Sequence, residues 1–502
     1  MKKAFAVFTV SLLTALGFLT VFQYTLLKEK DQVTFTDEIL YGDASDAEGI
    51  SVTTNSHYDR HLVWNTTYQA GPKPSVATDY KFYSTDYRVK WDFHDTFYID
   101  LDVQSYYLDL NKAKEEHTGI DRAFYDLYYD DTIFYRDESN ALTKSRLIHL
   151  KDYYEYYPFS FHATIDDDFH FYSTVDQTVD SLEMELAPLA EFFRIPIIED
   201  DSRMINIQSF GKDDFSTFTN DSNDHPSYYF NNYGIVTEDA LFFTFTVDDS
   251  LGNGDSMSKL DFSQIPGGYG IYRIPYTTEE TKYGTKHHIN GEAVSMVYPL
   301  DPSISLFSFT TSKDRSKLFL AYQDKNTPSG ITEFAVIDAK TMETLQLIHL
   351  KGIEKEDGST ETMIPYDYCI EDDYIIIHCS TDYLVVLELM DSGLYEHKFT
   401  INIHGNPIFE YYLDIPWRTA VSWNGEKLAI AGANNRDLGT NRYALSCGFY
   451  LAVFDENGLV YYSEHDSSLD QGPSPMGPYT PVQPLYTDDG NTLLTVKWNE
   501  TP

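Results

Sequence analysis

The residues best suited to chemistry in this sequence are loop carboxylates. Asp248, Asp249, Asn253 and Asp255 fall within the stretch 248–255 (DDSLGNGD), and a second oxygen-rich stretch spans 220–224 (NDSND). Hard oxygens crowded into a Gly-bearing loop are the ligand type that calcium takes. Neither stretch has the spacing of an EF-hand, and Asp, Asn and Gly together are also ordinary turn chemistry. Calcium at Asp248, Asp249, Asn253 and Asp255 is the one metal expectation, and no organic cofactor is implied.

Nitrogen and sulfur ligands are sparser. His287 and His288 are adjacent on an expected strand, so they face opposite sides and cannot readily share a metal; they are expected at the surface. Cys369, Cys379 and Cys447 show no CxxC or Cys/His spacing. Cys369 and Cys379 flank an acidic turn at 371–373, on strands that should be neighbours, where they either pair or stay free thiols. Gly-x-Ser-x-Gly, His-Glu-x-x-His, Ser-x-x-Lys and the phosphate-binding Gly-rich loop do not occur. Gly267-Gly-Tyr-Gly270 precedes a strand rather than a helix and reads as a turn. With 79 acidic residues along the chain, no carboxylate pair for glycoside hydrolysis stands out by spacing, and no catalytic residue is nominated. Two aromatic runs, 153–159 (YYEYYPF) and 227–233 (SYYFNNY), remain. Exposed, such rings stack on sugars or anchor a protein partner; buried, they pack between sheets.

The elements that must position these residues are strands. Segment 310–321 (TTSKDRSKLFLA) is a polar turn followed by an apolar strand, and the phrase returns at 422–431 (SWNGEKLAIA) and 487–496 (TDDGNTLLTV). Strand, loop, strand ending near an acid, tight turn and strand follow one another three times. The turns Asp338-Ala-Lys, Met390-Asp-Ser-Gly393 and Asp455-Glu-Asn-Gly458 are hairpin chemistry. Self-similarity at intervals of tens of residues marks a repeat array. The residues Ser312, Asp314, Lys317 and Leu318, then Ser422, Asn424, Gly425 and Leu428, then Thr487, Asp489, Gly490 and Leu493 resemble the blade-opening turn of WD-repeat and TolB-like β-propellers. Val336-Ile-Asp338 and Val453-Phe-Asp455 stand where many WD blades close on Trp-Asp. The first copy is also similar to the Asp box of sialidases, without its Gly. The resemblance covers about 235–500 and implies an all-β fold, a propeller of about six to eight blades. The last strand would complete a blade begun by the other chain end. Stacked β-sandwiches are the alternative architecture.

The first half is less regular. Asp-led turn-plus-strand units begin at His94, Asp130, Asp166 and Asp200. Between them, 111–117 and 180–193 are the helix candidates; the second has Leu182, Leu186, Leu189 and Phe193 at 3-to-4 spacing, Asp180 as cap, and Pro188 against continuity.

Composition agrees with many half-buried strands: aromatic residues make up 16%, with 41 Tyr and 32 Phe. The net charge of −43 excludes nucleic acid as a partner, since phosphate binding needs clustered Lys and Arg. Residues 4–27 follow Lys2 and Lys3 as an apolar run of about 36 Å if helical, enough for a bilayer core of about 30 Å. Without an Ala-x-Ala exit site, 1–30 reads as an uncleaved signal-anchor with N-terminus inside, a cleaved signal being the alternative. The expected organisation is this transmembrane helix, a polar stalk or lead-in strand at 31–56, and a propeller at 57–502. The expected location is the cell membrane, single-pass, with the bulk extracytoplasmic. The expected function is a binding or scaffolding module for an unknown protein or carbohydrate, with a propeller hydrolase or lyase on carbohydrate or phosphate esters as the alternative.

Overall fold

The computed structural model describes residues 33–499 except 59–60, 85–94, 104–111, 131–134, 137–141, 166–167, 174–185, 212–213, 223, 253–255, 283, 325–329, 355–357, 381–382, 404–418, 438–442, 472–481 and 485–493, together with residues 14, 16 and 17. The expected membrane segment 4–27 and the third turn copy at 487–493 thus lie outside the described residues, save for those three positions. Among the described residues no helix is long and apolar enough to cross a membrane. Strands dominate, and the chain divides into two compact units, Met1–Trp91 with Pro365–Pro502, and Asp92–Ile364.

In the first unit, alternation decides the packing. Strand Leu428–Asp437 opens Leu-Ala-Ile-Ala, and period 2 sends the large and small residues to opposite faces. Leu428 and Ile430 pack with Ile376, Leu384 and Val386 of one sheet, while Ala429 and Ala431 pack with Ile50, Val52 and Tyr68 of another. The middle sheet, Thr419–Trp423, Leu428–Asp437, Tyr443–Asp455 and Gly458–Ser467, is therefore buried on both faces. On one side lies Pro365–Ile370, Tyr374–Cys379, Tyr383–Leu389 and Tyr395–Asn402, each strand paired antiparallel to the next. On the other lies Ile50–Tyr58, Leu62–Gln69 and Ser75–Phe82, whose first strand also pairs with the C-terminal strand Leu494–Trp498, Val52 opposite Val496. The last strand thus completes a sheet begun near the N-terminus. Residues 31–56, expected as a stalk or lead-in, supply strands in two sheets: Phe35–Gly42 edges the middle sheet beside Gly458–Ser467, and Ile50–Tyr58 is the one just described. The polar look of 35–42 reflects an edge position, its pattern exposed from Thr36 onward.

The second unit repeats the scheme. Ser305–Thr311, Lys317–Gln323, Ile331–Asp338 and Thr344–Lys351 form a four-stranded meander. It packs through Leu318, Leu320 and Ile337 on Ile235, Phe242 and Ile271 of the sheet built from Tyr228–Val236, Ala240–Asp249, Gly270–Thr281, Gly284–Ile289 and Ser295–Pro299. The turn at 312–317 closes on itself. Asp314 Oδ1 accepts from Ser312 Oγ (2.6 Å) and Ser316 N (3.1 Å), and Lys317 N donates to Ser312 Oγ (2.9 Å). Arg315 occupies the left-handed region (φ 57°), where the second copy has Gly425 (φ 96°). Its guanidinium bonds Asp95 Oδ2 at 2.7 Å, a contact that offsets part of the steric cost of that conformation.

Upstream, the four Asp-led units divide between two interleaved sheets. Thr96–Leu101, Phe159–Ile165 and Asp168–Ser173 form one; Tyr135–Arg136, Leu142–His149, Ser202–Gly211 and Asp214–Asn220 form the other. This interleaving breaks the regular period. Helix Gly119–Tyr129 packs on the second sheet through Phe124 and Leu127. No Ser, Asp or Asn caps it; the Tyr154 hydroxyl accepts from Ile120 N at 2.6 Å instead. The expected 111–117 helix is a single 3₁₀ turn, Lys114–Glu116, and 180–193 contributes Leu186–Phe192, with Pro188 inside it.

One glycine sets the approach of two sheets. A Cβ on Gly234 would lie 1.8 Å from Phe97 O, and two residues earlier Asn232 Nδ2 donates to Ile99 O at 2.7 Å. Gly234→Ala must push Tyr228–Val236 off Thr96–Leu101, which overpacking precedents put at about 1–3 kcal/mol. Urea unfolding followed by tyrosine fluorescence and far-UV circular dichroism, since residues 92–364 contain no tryptophan, should show a lower midpoint, and an unchanged midpoint would refute the contact.

Candidate functional site

The junction that Gly234 permits borders a cavity of about 550 Å³ in the second unit. Alternation aims its walls. Along Thr96–Leu101, Phe97 and Ile99 enter the core, so Tyr98 and Asp100 face out. Along Phe159–Ile165, Phe159 and Phe161 are core, while Ser160 and His162 lie directly opposite Asp100 and Tyr98. The Tyr98 and His162 rings stack with centroids 4.4 Å apart and planes at 6°. Along Tyr228–Val236, Tyr228 and Phe230 are core, and Tyr229 and Asn231 face out. Asp102, Asn220, Asp221 and Arg203 complete the polar lining.

Arg203 is held from behind. It is buried, ion-paired with the fully buried Asp201, and donates to the carbonyls of Ser202 (3.0 Å) and Tyr228 (2.6 Å). Asp201 also accepts from the Tyr157 hydroxyl at 2.9 Å. Burial pushes the Asp201 carboxyl up to about 6 against the pull of Arg203 and Tyr157, which leaves the pair ionised at pH 7. The guanidinium sits 5.3 Å from the Tyr229 ring centroid. Burial depresses His162, against a smaller opposing effect of Asp100, so its imidazole is neutral at pH 7. The result is a fixed polar cavity with two tyrosine faces, Tyr98 at 42% and Tyr229 at 38% exposure.

Of the residues singled out from sequence, the 227–233 run supplies Tyr229 and Asn231 to this cavity, whereas the 153–159 run packs: Tyr154 caps a helix, Tyr157 holds Asp201 and Phe159 is core. Tyr98, Asp100, His162 and Arg203 escaped the sequence reading. Their signal was the alternation itself, whose outward half carries the polar and ring side chains. Asp248 accepts from Asn231 Nδ2 (2.6 Å) and borders a smaller cavity of about 210 Å³. Asp249 accepts from Leu251 N (2.9 Å) and Ser256 Oγ (3.2 Å), a turn-closing role. Asn253 and Asp255 lie outside the described residues, among which no group of three metal-ligating side chains converges. His287, expected at the surface, is buried against Tyr276, while its neighbour His288 points the other way, toward Glu279.

A second cavity, about 310 Å³, opens in the first unit. Asp367 lies directly opposite His378, and Asp367 and Cys369, two apart on one strand, line it with Glu371, Thr419 and Lys497. Burial raises the Asp367 carboxyl. Cys369 is half-buried; none of the three cysteines is in a disulfide, and Cys379, which faces Pro365 rather than Cys369, is pushed up by burial to about 12.

Ser463, His465 and Asp37 reproduce the hydrogen-bond order of a hydrolase triad. Ser463 Oγ lies 2.7 Å from His465 Nε2, and His465 Nδ1 lies 2.9 Å from Asp37 Oδ1. Ser463 and His465 are fully buried, and the rings of Phe449 and Tyr68 cover the imidazole at 4.4 and 4.5 Å. No substrate can reach that serine. The Tyr68 hydroxyl donates to the other Asp37 oxygen at 2.8 Å, so the cluster ties strand Phe35–Gly42 to its sheet.

No family model matches the chain, and no curated protein matches it. Among solved structures, the β-propeller domain of Myceliophteria thermophila Cps50 (Swd1) is similar at 9% identity, covering 53% of this chain and 84% of that one, with a TM-score of 0.21. Apo AztD from Citrobacter koseri is similar at 8% identity over 89% and 97%, TM-score 0.21. A hypothetical selenium-binding protein from Sulfolobus tokodaii is similar at 10% identity over 84% and 92%, TM-score 0.20. Likenesses this distant carry no argument. What this chain's own sheets show is an all-β fold of antiparallel meanders packed face to face within each unit.

Two outcomes follow from the buried groups. Burial alone would raise the Asp37 carboxyl, but the His465 and Tyr68 hydrogen bonds hold it below its ordinary value of 3.8. Its stabilisation is therefore complete above 3.8 and lost as pH falls through the lower folded value. Asp37→Ala should cost about 1–3 kcal/mol at pH 7 by leaving two buried partners unsatisfied, and the gap to the parent in urea midpoint should narrow in strong acid. A thiol titration with an aromatic disulfide at pH 8 should modify Cys369 before Cys379 and Cys447, which react only after unfolding; equal rates for all three would contradict the burial pattern.

Proposed function

We propose that this chain is a membrane-anchored, extracytoplasmic binding module that holds a carbohydrate in the 550 Å³ cavity of its second unit. The single observation behind this reading is the lining itself. Two partly exposed tyrosine faces stand among carboxylate, amide and guanidinium groups, each fixed by strand register or by buried partners. Sugars are recognised by that combination, ring stacking on the C–H face and planar polar groups on the hydroxyls. Support for the anchor comes from the apolar run 4–27, and for export from the strongly acidic body behind it. A protein partner on the same blades is the coarser form of this reading.

A second reading, a propeller hydrolase on carbohydrate or phosphate esters, draws on the raised Asp367 carboxyl opposite His378 in the other unit. It requires turnover that Asp367→Asn abolishes.

The binding reading is tested by a glycan array followed by calorimetry on the detergent-solubilised chain. Tyr98→Ala and Tyr229→Ala should each weaken the best glycan by about 1 kcal/mol or more, roughly fivefold to tenfold, with the melting curve kept. A set of hits unaffected by both substitutions would move the ligand elsewhere. Fractionation should place the chain in membranes, open to protease from outside the cell; recovery in the cytosolic fraction would refute the topology.

A further inference from the structure

The lining of the tyrosine-walled cavity is unbalanced in charge. Among its described residues Arg203 is the one fixed cation, and its charge is already met by Asp201, with two further N–H donors given to backbone carbonyls. His162 is neutral at pH 7. Asp100 and Asp221 line the cavity with no ion pair among the described residues. A ligand that entered with hydroxyls alone would leave those charges to water. An anionic ligand would meet repulsion from the carboxylates, with no second cation among the described lining residues to offset it. A divalent cation is not favoured either, since no three ligating groups converge among the described residues.

What remains complementary is a diffuse organic cation with a face to stack. An ammonium group on a sugar ring meets both demands: it pairs with Asp100 or Asp221 and lies against the Tyr98 and Tyr229 rings on the faces not taken by His162 and Arg203, where ammonium groups are attracted even at exposed sites. Resting on the carbohydrate reading above, we infer that the saccharide held here is an amino sugar with free ammonium groups, the deacetylated form rather than a neutral or N-acetylated one.

Isothermal titration of the full-length, detergent-solubilised protein with three matched tetramers tests this without any variant. These are β-1,4-linked glucosamine, its N-acetylated counterpart, and β-1,4-linked glucose, at pH 6.5, above the Asp201 carboxyl so that it still neutralises Arg203, and low enough that many of the amines are charged. The expected result is at least tenfold tighter binding of the glucosamine tetramer than of either other, with the preference shrinking as salt is raised from 50 to 500 mM. Asp100→Asn and Asp221→Asn should each erode that preference about fivefold while the melting curve is kept. Equal affinity for the glucose tetramer would overturn the inference and leave the carbohydrate reading standing. Failure of all three tetramers to bind would remove both. Tetralysine binding as tightly as the glucosamine tetramer would also overturn it, because charge alone, without the sugar ring, would then suffice.

Discussion

The structure depends on sheets that are buried on both faces. A strand in such a sheet has no solvent side on which to place its polar residues, so its backbone must be satisfied wholly within its own ladder and its side chains must be apolar in both directions. Leu428–Asp437 shows how the two neighbours are told apart. Leucine and isoleucine fill one interface and alanines the other, so one side receives a thick apolar layer and the other a thin one completed by Ile50, Val52 and Tyr68. The same rule governs Ala240–Asp249, where Phe242 turns to the 305–351 meander and Phe243 and Phe245 to the opposite core.

Polar chemistry is thereby confined to two kinds of place. Two buried clusters are closed networks: Asp37 with His465, Ser463 and Tyr68, and Asp201 with Arg203 and Tyr157. A serine, histidine and aspartate in relay order are a structural clasp here because aromatic rings seal the imidazole. Catalysis needs access as well as order. Where polar groups stay available, they sit on the outward half of strands at the margin of a sheet, as Tyr98 and Asp100 do. Both cavities of interest are built at such margins.

The regular second half was readable because its turns announce themselves. Ser422, Asn424 and Gly425 open a hairpin by local hydrogen bonding, and Asp338, Gly393 and Gly458 end others. Those signals act over a few residues, so one sequence suffices to see them. Helix Gly119–Tyr129 was overlooked although Ile120, Ala123, Phe124 and Leu127 have helical spacing, because its cap comes from Tyr154 rather than from a neighbouring Ser or Asp. Residues 31–56 looked like a stalk because an edge strand buries little and keeps a polar composition. The first half lost its period because the chain passes back and forth between two sheets, mostly two strands at a time.

Local order was the sequence's own to decide: which segments are strands, where the hairpins turn, and that the chain carries an acidic, aromatic-rich body behind an apolar N-terminal run. Period-2 alternation and turn chemistry operate between near neighbours and survive without any fold around them. The cavity was decided only by tertiary structure. Its wall takes Asp100, His162, Arg203, Asp221 and Tyr229 from strands and loops far apart in the chain, brought together because Gly234 lets one strand lie on the carbonyl of Phe97. Which acids among the 79 line the cavity without an ion pair among the described residues, and which cation is already paired, are facts about distances across that junction. No spacing along the chain encodes them.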